Sequence, residues 1–142
     1  MNRKELLLSY AAKSLQHRRI WLAEWNRQNE MDLSYAQSEV LSWIDQKGPL
    51  QAKDLVNQFS VTSGGITAIC DKLIARGLIH RIRNDQQDRR AIQLEITEQG
   101  REMVKTSQDV WDKVMENVFS VLTNAEIAML DQIYAKLIES RS

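Results

Sequence analysis

GLIHRIRNDQQDRRAIQLEIT, residues 77–97, holds four arginines and two aspartates between two runs of alternating apolar residues. Leu78, His80 and Ile82 alternate with Ile79, Arg81 and Arg83 on the way in. Ile92, Leu94 and Ile96 alternate with Ala91, Gln93 and Glu95 on the way out. A period of two marks a strand with one face buried, and the intervening RNDQQDRR is rich in turn formers. The stretch predicts a β-hairpin with an arginine-rich tip.

The residues before it predict helices. Ile66, Ile69, Cys70, Leu73 and Ile74 fall at i, i+3, i+4, i+7 and i+8, one continuous buried stripe. Thr62 is placed to cap the N-terminus of that helix, and Gly77 to close it. SVTSGG, residues 60–65, reads as a tight turn leading in from a short helix over 51–59, with Leu55, Val56 and Phe59 inward. Ahead of it, KGPL breaks the chain, with Gly48 ending a helix over 34–46 and Pro49 starting the next. Residues 4–29 form a long helix, with Leu8, Leu15 and Leu22 in one heptad row and Ala11, Arg18 and Trp25 beside it. After the hairpin come helices over about 98–120 and 124–140, separated at Leu122-Thr123-Asn124.

Two helices joined by a short turn and followed by a hairpin make a winged helix-turn-helix. The fold class is therefore mainly α with a small β-hairpin wing. The physical logic of such a unit is that the second helix presents its first turn to a major groove. Free N–H groups and the helix dipole there favour phosphate. Thr62, Ser63, Gly64 and Gly65 are small enough for close approach, and Thr67, Ala68 and Lys72 lie on the outward face. The arginines of the hairpin suit the negative potential of a minor groove. Charge agrees. The chain has no net charge, yet residues 72–90 carry six Lys/Arg against two Asp, or +4, while residues 101–142 carry five basic and seven acidic residues, or −2.

Composition excludes several other classes. At 142 residues the chain is the size of one compact domain, and one proline among 142 favours helices. No apolar run is long enough for a membrane span, and no secretory leader pattern opens the chain. The single cysteine, Cys70, excludes an internal disulfide and fits a reducing cytoplasm; it lies in the buried row and reads as a small hydrophobe. His17 and His80 are isolated, so no metal site is expected. No phosphate loop, nucleophile elbow or zinc-protease motif is present, so neither an enzyme nor a cofactor is expected.

The stretch VTSGGITAICDKLIARGLIHRIRNDQQDRRAIQLEITEQG resembles the signature of the MarR family of bacterial transcription regulators. The family phrase D-[KR]-L-x-x-[RK]-G-L-[IV] is matched by Asp71-Lys72-Leu73 through Ile79. The wing phrase is degraded to Asp85-Gln86-Gln87-Asp88-Arg89-Arg90, and Ile96-Thr97-Glu98-Gln99-Gly100 follows in place of L-T-x-x-G. Departures are Ser63 where proline is common, Ala68 where a bulky or basic residue is common, and Gln87 where an arginine is usual.

The resemblance implies a cytoplasmic homodimeric regulator, a repressor that binds a palindromic operator in double-stranded DNA. Its parts would be an N-terminal helix over 1–32, a winged DNA-binding domain over 33–100 and dimerisation helices over 101–142. The apolar stripes of the terminal helices agree, since they exceed what a small winged domain needs to cover itself. Thr62, Ser63, Gly64, Gly65, Thr67, Lys72, Arg81, Arg83, Arg89 and Arg90 are the candidate DNA contacts, with Asp88 as a brace within the wing. The resemblance also implies a small aromatic or phenolic effector bound between the dimerisation helices and the winged domain. Trp21, Trp25, Met31, Tyr35 and Trp43 are candidates to line its site, with His17 or Arg18 meeting an anionic group. The competing reading makes these aromatics core or dimer-interface residues. A regulator without a ligand, and a protein–protein module, remain the alternatives for the chain.

Overall fold

The computed structural model describes residues 1–83 and 91–141. Its elements are α1 (Arg3–Gln28), α2 (Tyr35–Lys47), α3 (Ala52–Phe59), α4 (Ser63–Ala75), β1 (Ile79–Arg83), β2 (Ile92–Ile96), α5 (Glu98–Val118) and α6 (Asn124–Glu139). The chain divides into two compact units. One comprises residues 25–111; the other comprises residues 1–24 and 112–142.

The first unit is a winged helix-turn-helix. α2 and α4 start where the sequence offers a cap. Ser34 accepts from the Gln37 N–H at 3.1 Å while the Gln37 side chain accepts from the Ser34 N–H at 3.0 Å. Thr62 does the same work for α4, its hydroxyl accepting from the Gly65 N–H at 3.1 Å. The expected stripe on α4 is buried: Ile66, Cys70 and Leu73 are fully enclosed, and Ile69 and Ile74 pack half-buried at its edge. These side chains meet Val40, Leu41 and Ile44 of α2, Leu55 of α3, and Ile79, Leu94 and Ile96 of the hairpin in one core. Each fully buried Leu or Ile contributes about 1.5–3 kcal/mol.

α4 ends in a Schellman turn. The Gly77 N–H donates to the Ile74 carbonyl at 2.9 Å and the Leu78 N–H to the Leu73 carbonyl at 3.0 Å. Gly77 stands at φ +72°, a left-handed conformation that favours glycine. β1 and β2 then pair antiparallel, with Ile79 opposite Ile96 and Arg83 opposite Ile92.

Two expectations are corrected. Pro49 does not start a helix: α3 begins at Ala52, because Leu50 first pairs with Leu94 in an isolated β-bridge. The Leu50 N–H donates to the Leu94 carbonyl at 3.1 Å, and the Leu94 N–H donates back at 2.7 Å. The strict alternation of 78–83 also fails at its start. Leu78 and Ile79 are both buried, since Leu78 belongs to the turn that closes α4 and only Ile79 belongs to the strand.

Thr97 and Gly100 lock the hairpin to α5. The Thr97 N–H donates to the Leu78 carbonyl at 3.1 Å, and the Thr97 hydroxyl lies 2.7 Å from the Gly77 carbonyl. The same oxygen accepts from the Gly100 N–H at 3.0 Å and so caps α5. Gly100 is packed so closely that a Cβ there would stand 2.1 Å from the Leu78 carbonyl oxygen and 2.6 Å from Ile96 Cγ1.

The second unit has a thin core of its own. Val114 is its one fully buried residue among those described. Leu8, Leu15, Ile133, Leu137 and Ile138 are all at least half exposed. Within it the Tyr10 and Tyr134 hydroxyls lie 3.0 Å apart, and that hydrogen bond raises the Tyr134 pKa above its ordinary value. His17 meets Phe119 edge-on at 5.2 Å, and the Arg18 guanidinium stands 5.3 Å over the Trp21 ring.

Two glycine replacements test this packing. Gly100→Ala should destabilise the protein by about 3 kcal/mol in urea unfolding, because backbone rather than a flexible side chain opposes the new methyl. Gly64→Ala meets nothing within 4 Å and should stabilise by up to about 1 kcal/mol, the helix-propensity difference.

Candidate nucleic-acid interface

The first turn of α4 is exposed, as is the face of the helix opposite Ile66, Cys70 and Leu73. Thr62, Ser63 and Gly64 face solvent, as do Thr67, Ala68, Asp71 and Lys72 farther along. Space beside Gly64 is open, whereas a Cβ on Gly65 would stand 2.7 Å from Val61 Cγ1. The two adjacent glycines thus have different roles. Gly64 leaves room outside the helix, and Gly65 lets Val61 and the Thr62 cap close over the turn. The Thr67 hydroxyl donates to the Ser63 carbonyl at 2.9 Å, so it offers an acceptor outward. With its uncapped N–H groups and dipole, this turn is suited to an anion.

Arg81 is tied to the recognition helix. Its Nη2 lies 2.9 Å from Asp71 Oδ1, with both side chains more than half exposed. The pair links β1 to α4 through Asp71, a residue that periodicity alone did not single out. Arg83 ends β1 exposed. His80 Nε2 lies 2.7 Å from Glu95 Oε1, directly across the hairpin. Arg76 was counted only as part of the basic stretch. Its guanidinium donates to the Asp32 carbonyl at 2.7 Å and the Met31 carbonyl at 2.8 Å, anchoring the loop before α2. Asp88, Arg89 and Arg90 lie outside the described residues.

Cys70 sits at the inner side of this surface, beside a small cavity of about 180 Å³ shared with Thr67, Asp71 and Arg81. Burial, with help from the Asp71 carboxylate and against the Arg81 guanidinium, pushes its thiol up to about 11.

A larger cavity of about 380 Å³ lies within the same unit. Of the aromatic residues expected to meet a ligand, Trp25, Tyr35 and Trp43 line it, joined by Phe59 and Trp111. Trp25 and Tyr35 meet edge-on at 5.8 Å, Tyr35 and Trp111 tilt together at 5.3 Å, and Trp43 meets Phe59 at 6.2 Å. Trp25 is also a core residue, 1% exposed, its indole N–H donating to the Leu33 carbonyl at 3.2 Å. Met31 packs against the core instead, with Ser107 Oγ 3.8 Å from its sulfur. His17 and Trp21 belong to the other unit. Trp111 and Ser107 escaped the sequence reading as site residues because one was taken as part of an apolar stripe and the other carries no pattern.

Among the described residues no helix is long and apolar enough to cross a membrane, and no three His, Cys, Asp or Glu converge on a metal position. A capped, exposed helix start beside a basic hairpin defines a DNA-binding winged helix-turn-helix. A profile described as the MarR family matches residues 33–92. The chain is 29% identical over 118 residues, 83% of each protein, to YpoP, an uncharacterised HTH-type transcriptional regulator of Bacillus subtilis. It superimposes on the transcriptional regulator BldR of Sulfolobus solfataricus with a TM-score of 0.79 at 29% identity, covering 96% of this chain and 99% of that one. It shares the fold of a mutant MarR from E. coli complexed with operator DNA, with a TM-score of 0.81 at 19% identity over 96% and 99% of the two chains. Residues 33–92 thus match the MarR family, and over most of its length the chain is similar to HTH-type transcription regulators.

The thiol gives this surface a direct test. Native protein at pH 8 should react with Ellman's reagent at least 100-fold more slowly than protein in guanidinium chloride. A raised thiol pKa contributes stability that is complete below the ordinary value of 9.0 and is lost as pH climbs towards about 11. Cys70→Ala should therefore show a flatter stability profile between pH 9 and 11 than the parent.

Proposed function

We propose that the chain is a homodimeric cytoplasmic repressor that binds a palindromic operator and is released from it by a small aromatic effector. The observation that carries this reading is the first turn of α4, capped by Thr62 yet exposed from Ser63 onward. In the proposed complex Thr62, Ser63, Gly64, Gly65, Thr67 and Lys72 enter or flank the major groove. Arg81 and Arg83, with Arg89 and Arg90 farther along the wing, meet the phosphates and the minor groove, and Asp88 braces the wing. Few of these side chains offer paired donors to a base edge, so phosphate contacts supply most of the affinity.

The second unit supports the proposed dimer. Two long helices that leave Leu8, Leu15, Ile133 and Leu137 bare are short of a partner, and a second copy offers the same bare face. Twofold symmetry then sets two α4 helices against half-sites about 34–36 Å apart. The aromatic cavity supplies a place from which a ligand can favour a dimer of different spacing, which lowers operator affinity by population shift.

A gel shift against the DNA upstream of the chain's own gene is the first test. Binding should fall by a slope of about −0.9 in log K per phosphate contact as salt rises. Lys72→Ala and Arg83→Ala should each weaken binding across sequences and reduce that slope by about 1. Retention of full affinity and slope by both variants, in a protein that binds this DNA, would remove them from the interface.

A further inference from the structure

The cavity of the winged unit has an electrostatic character opposite to that required by an aromatic acid. Glu39 is the one charged residue in its lining, and no lysine, arginine or histidine contributes to it. Glu39 is half-buried on α2 and has no ion-pair partner among the described residues. The buried hydroxyl of Ser107 donates to the Met103 carbonyl at 2.9 Å, so it faces the cavity as an acceptor. Trp25, Tyr35, Trp43 and Trp111 contribute four aromatic rings to its lining. Aromatic faces carry negative potential and attract cations. Trp43 already shows the preference on its own account, since Lys47 Nζ stands 5.7 Å over its ring while lining a neighbouring cavity.

A carboxylate placed here would lose its water, meet the Glu39 charge and find no cation. Burying a charge without a partner is strongly unfavourable. A planar aromatic cation would stack between the rings, pair with Glu39 and donate to the serine and glutamine oxygens. We propose that this cavity takes a planar aromatic ligand bearing a cationic hydrogen-bond donor, such as an amidinium or a ring ammonium, and discriminates against aromatic carboxylates. The inference rests on the effector reading above and names the ligand class for that cavity.

Three compounds of nearly one shape test it on the full chain: naphthalene-2-carboxamidine, naphthalene-2-carboxamide and naphthalene-2-carboxylate. Binding is read at pH 7 by calorimetry and by tryptophan fluorescence. The amidine should bind at least tenfold tighter than the carboxylate, with the amide between them. Glu39→Gln should remove most of the amidine's advantage and leave amide binding within about twofold. Circular dichroism checks that this half-exposed substitution folds, and Glu39→Asp, which keeps the charge, should retain the amidine preference. The proposal is overturned if the carboxylate binds as tightly as the amidine, if the preference survives Glu39→Gln, or if none of the three binds at millimolar concentration. The regulatory reading is scored separately, by adding each compound to the protein–operator gel shift. Amidine binding that leaves the shift unchanged upholds the ligand class and sinks the effector role. Release by the carboxylate alone does the reverse.

Discussion

The joint at Leu78, Thr97 and Gly100 sets the position of the hairpin and α5 against the end of α4. One carbonyl, that of Leu78, receives the Thr97 N–H and lies 3.1 Å from the Thr97 hydroxyl, while the neighbouring Gly77 carbonyl lies 2.7 Å from the same hydroxyl. That hydroxyl in turn caps α5 through Gly100. The end of α4, the start of β1 and the start of α5 are thereby joined within a few residues. Such a joint requires a glycine on each side: Gly77 because the chain turns left-handed there, Gly100 because the Leu78 carbonyl leaves no room for a Cβ. The ITEQG phrase is thus a mechanical requirement. It gives the recognition helix and the wing a common origin, so their separation does not depend on long surface side chains.

The exposed surface is organised on weaker terms, as a binding surface must be. The Asp71–Arg81 pair is more than half exposed on both sides, and such pairs contribute at most about 1 kcal/mol. Its value lies in direction. It holds a guanidinium against the recognition helix without committing it to the core, and a phosphate can compete for it. The stability of the unit comes from elsewhere, from the stripe Ile66, Cys70 and Leu73 and the residues it meets. That division lets the outer face of α4 be small and polar. Gly64 carries no packing at all and costs helix propensity, a cost that makes sense where another backbone must approach.

Local periodicity was enough to read α4, the hairpin and the cap at Thr62, because each is specified by residues within one or two turns of each other. The Leu50–Leu94 pairing was not legible, since it joins residues 44 positions apart through backbone groups alone, which every sequence possesses. The Arg76 tie to Met31 and Asp32 escaped for a related reason: an arginine donating to carbonyls leaves no partner side chain to find. For the cavity, the aromatic residues singled out in the sequence include Trp25, Tyr35 and Trp43, which line it. Its charge depended on which polar residues the fold brings beside them, and Glu39 has no feature in the sequence that separates it from any other surface glutamate.

α5 carries the most consequential assignment of residues to faces. Its first turn is capped in the joint with the wing, its middle offers Ser107, Gln108 and Trp111 to the aromatic cavity, and the chain continues along it into the unit whose apolar face is bare. A ligand among those three side chains therefore touches an element that begins at the DNA-binding apparatus. Ligand control requires only that the ligand bind one arrangement of the dimer better than another, and a tenfold loss of operator affinity corresponds to about 1.4 kcal/mol of such preference. A single stacked ring or one charge pair with Glu39 is of that size when desolvated. The coupling in the proposed dimer thus needs no large rearrangement of the core around Ile66 and Leu73, which can remain packed in both states of that dimer.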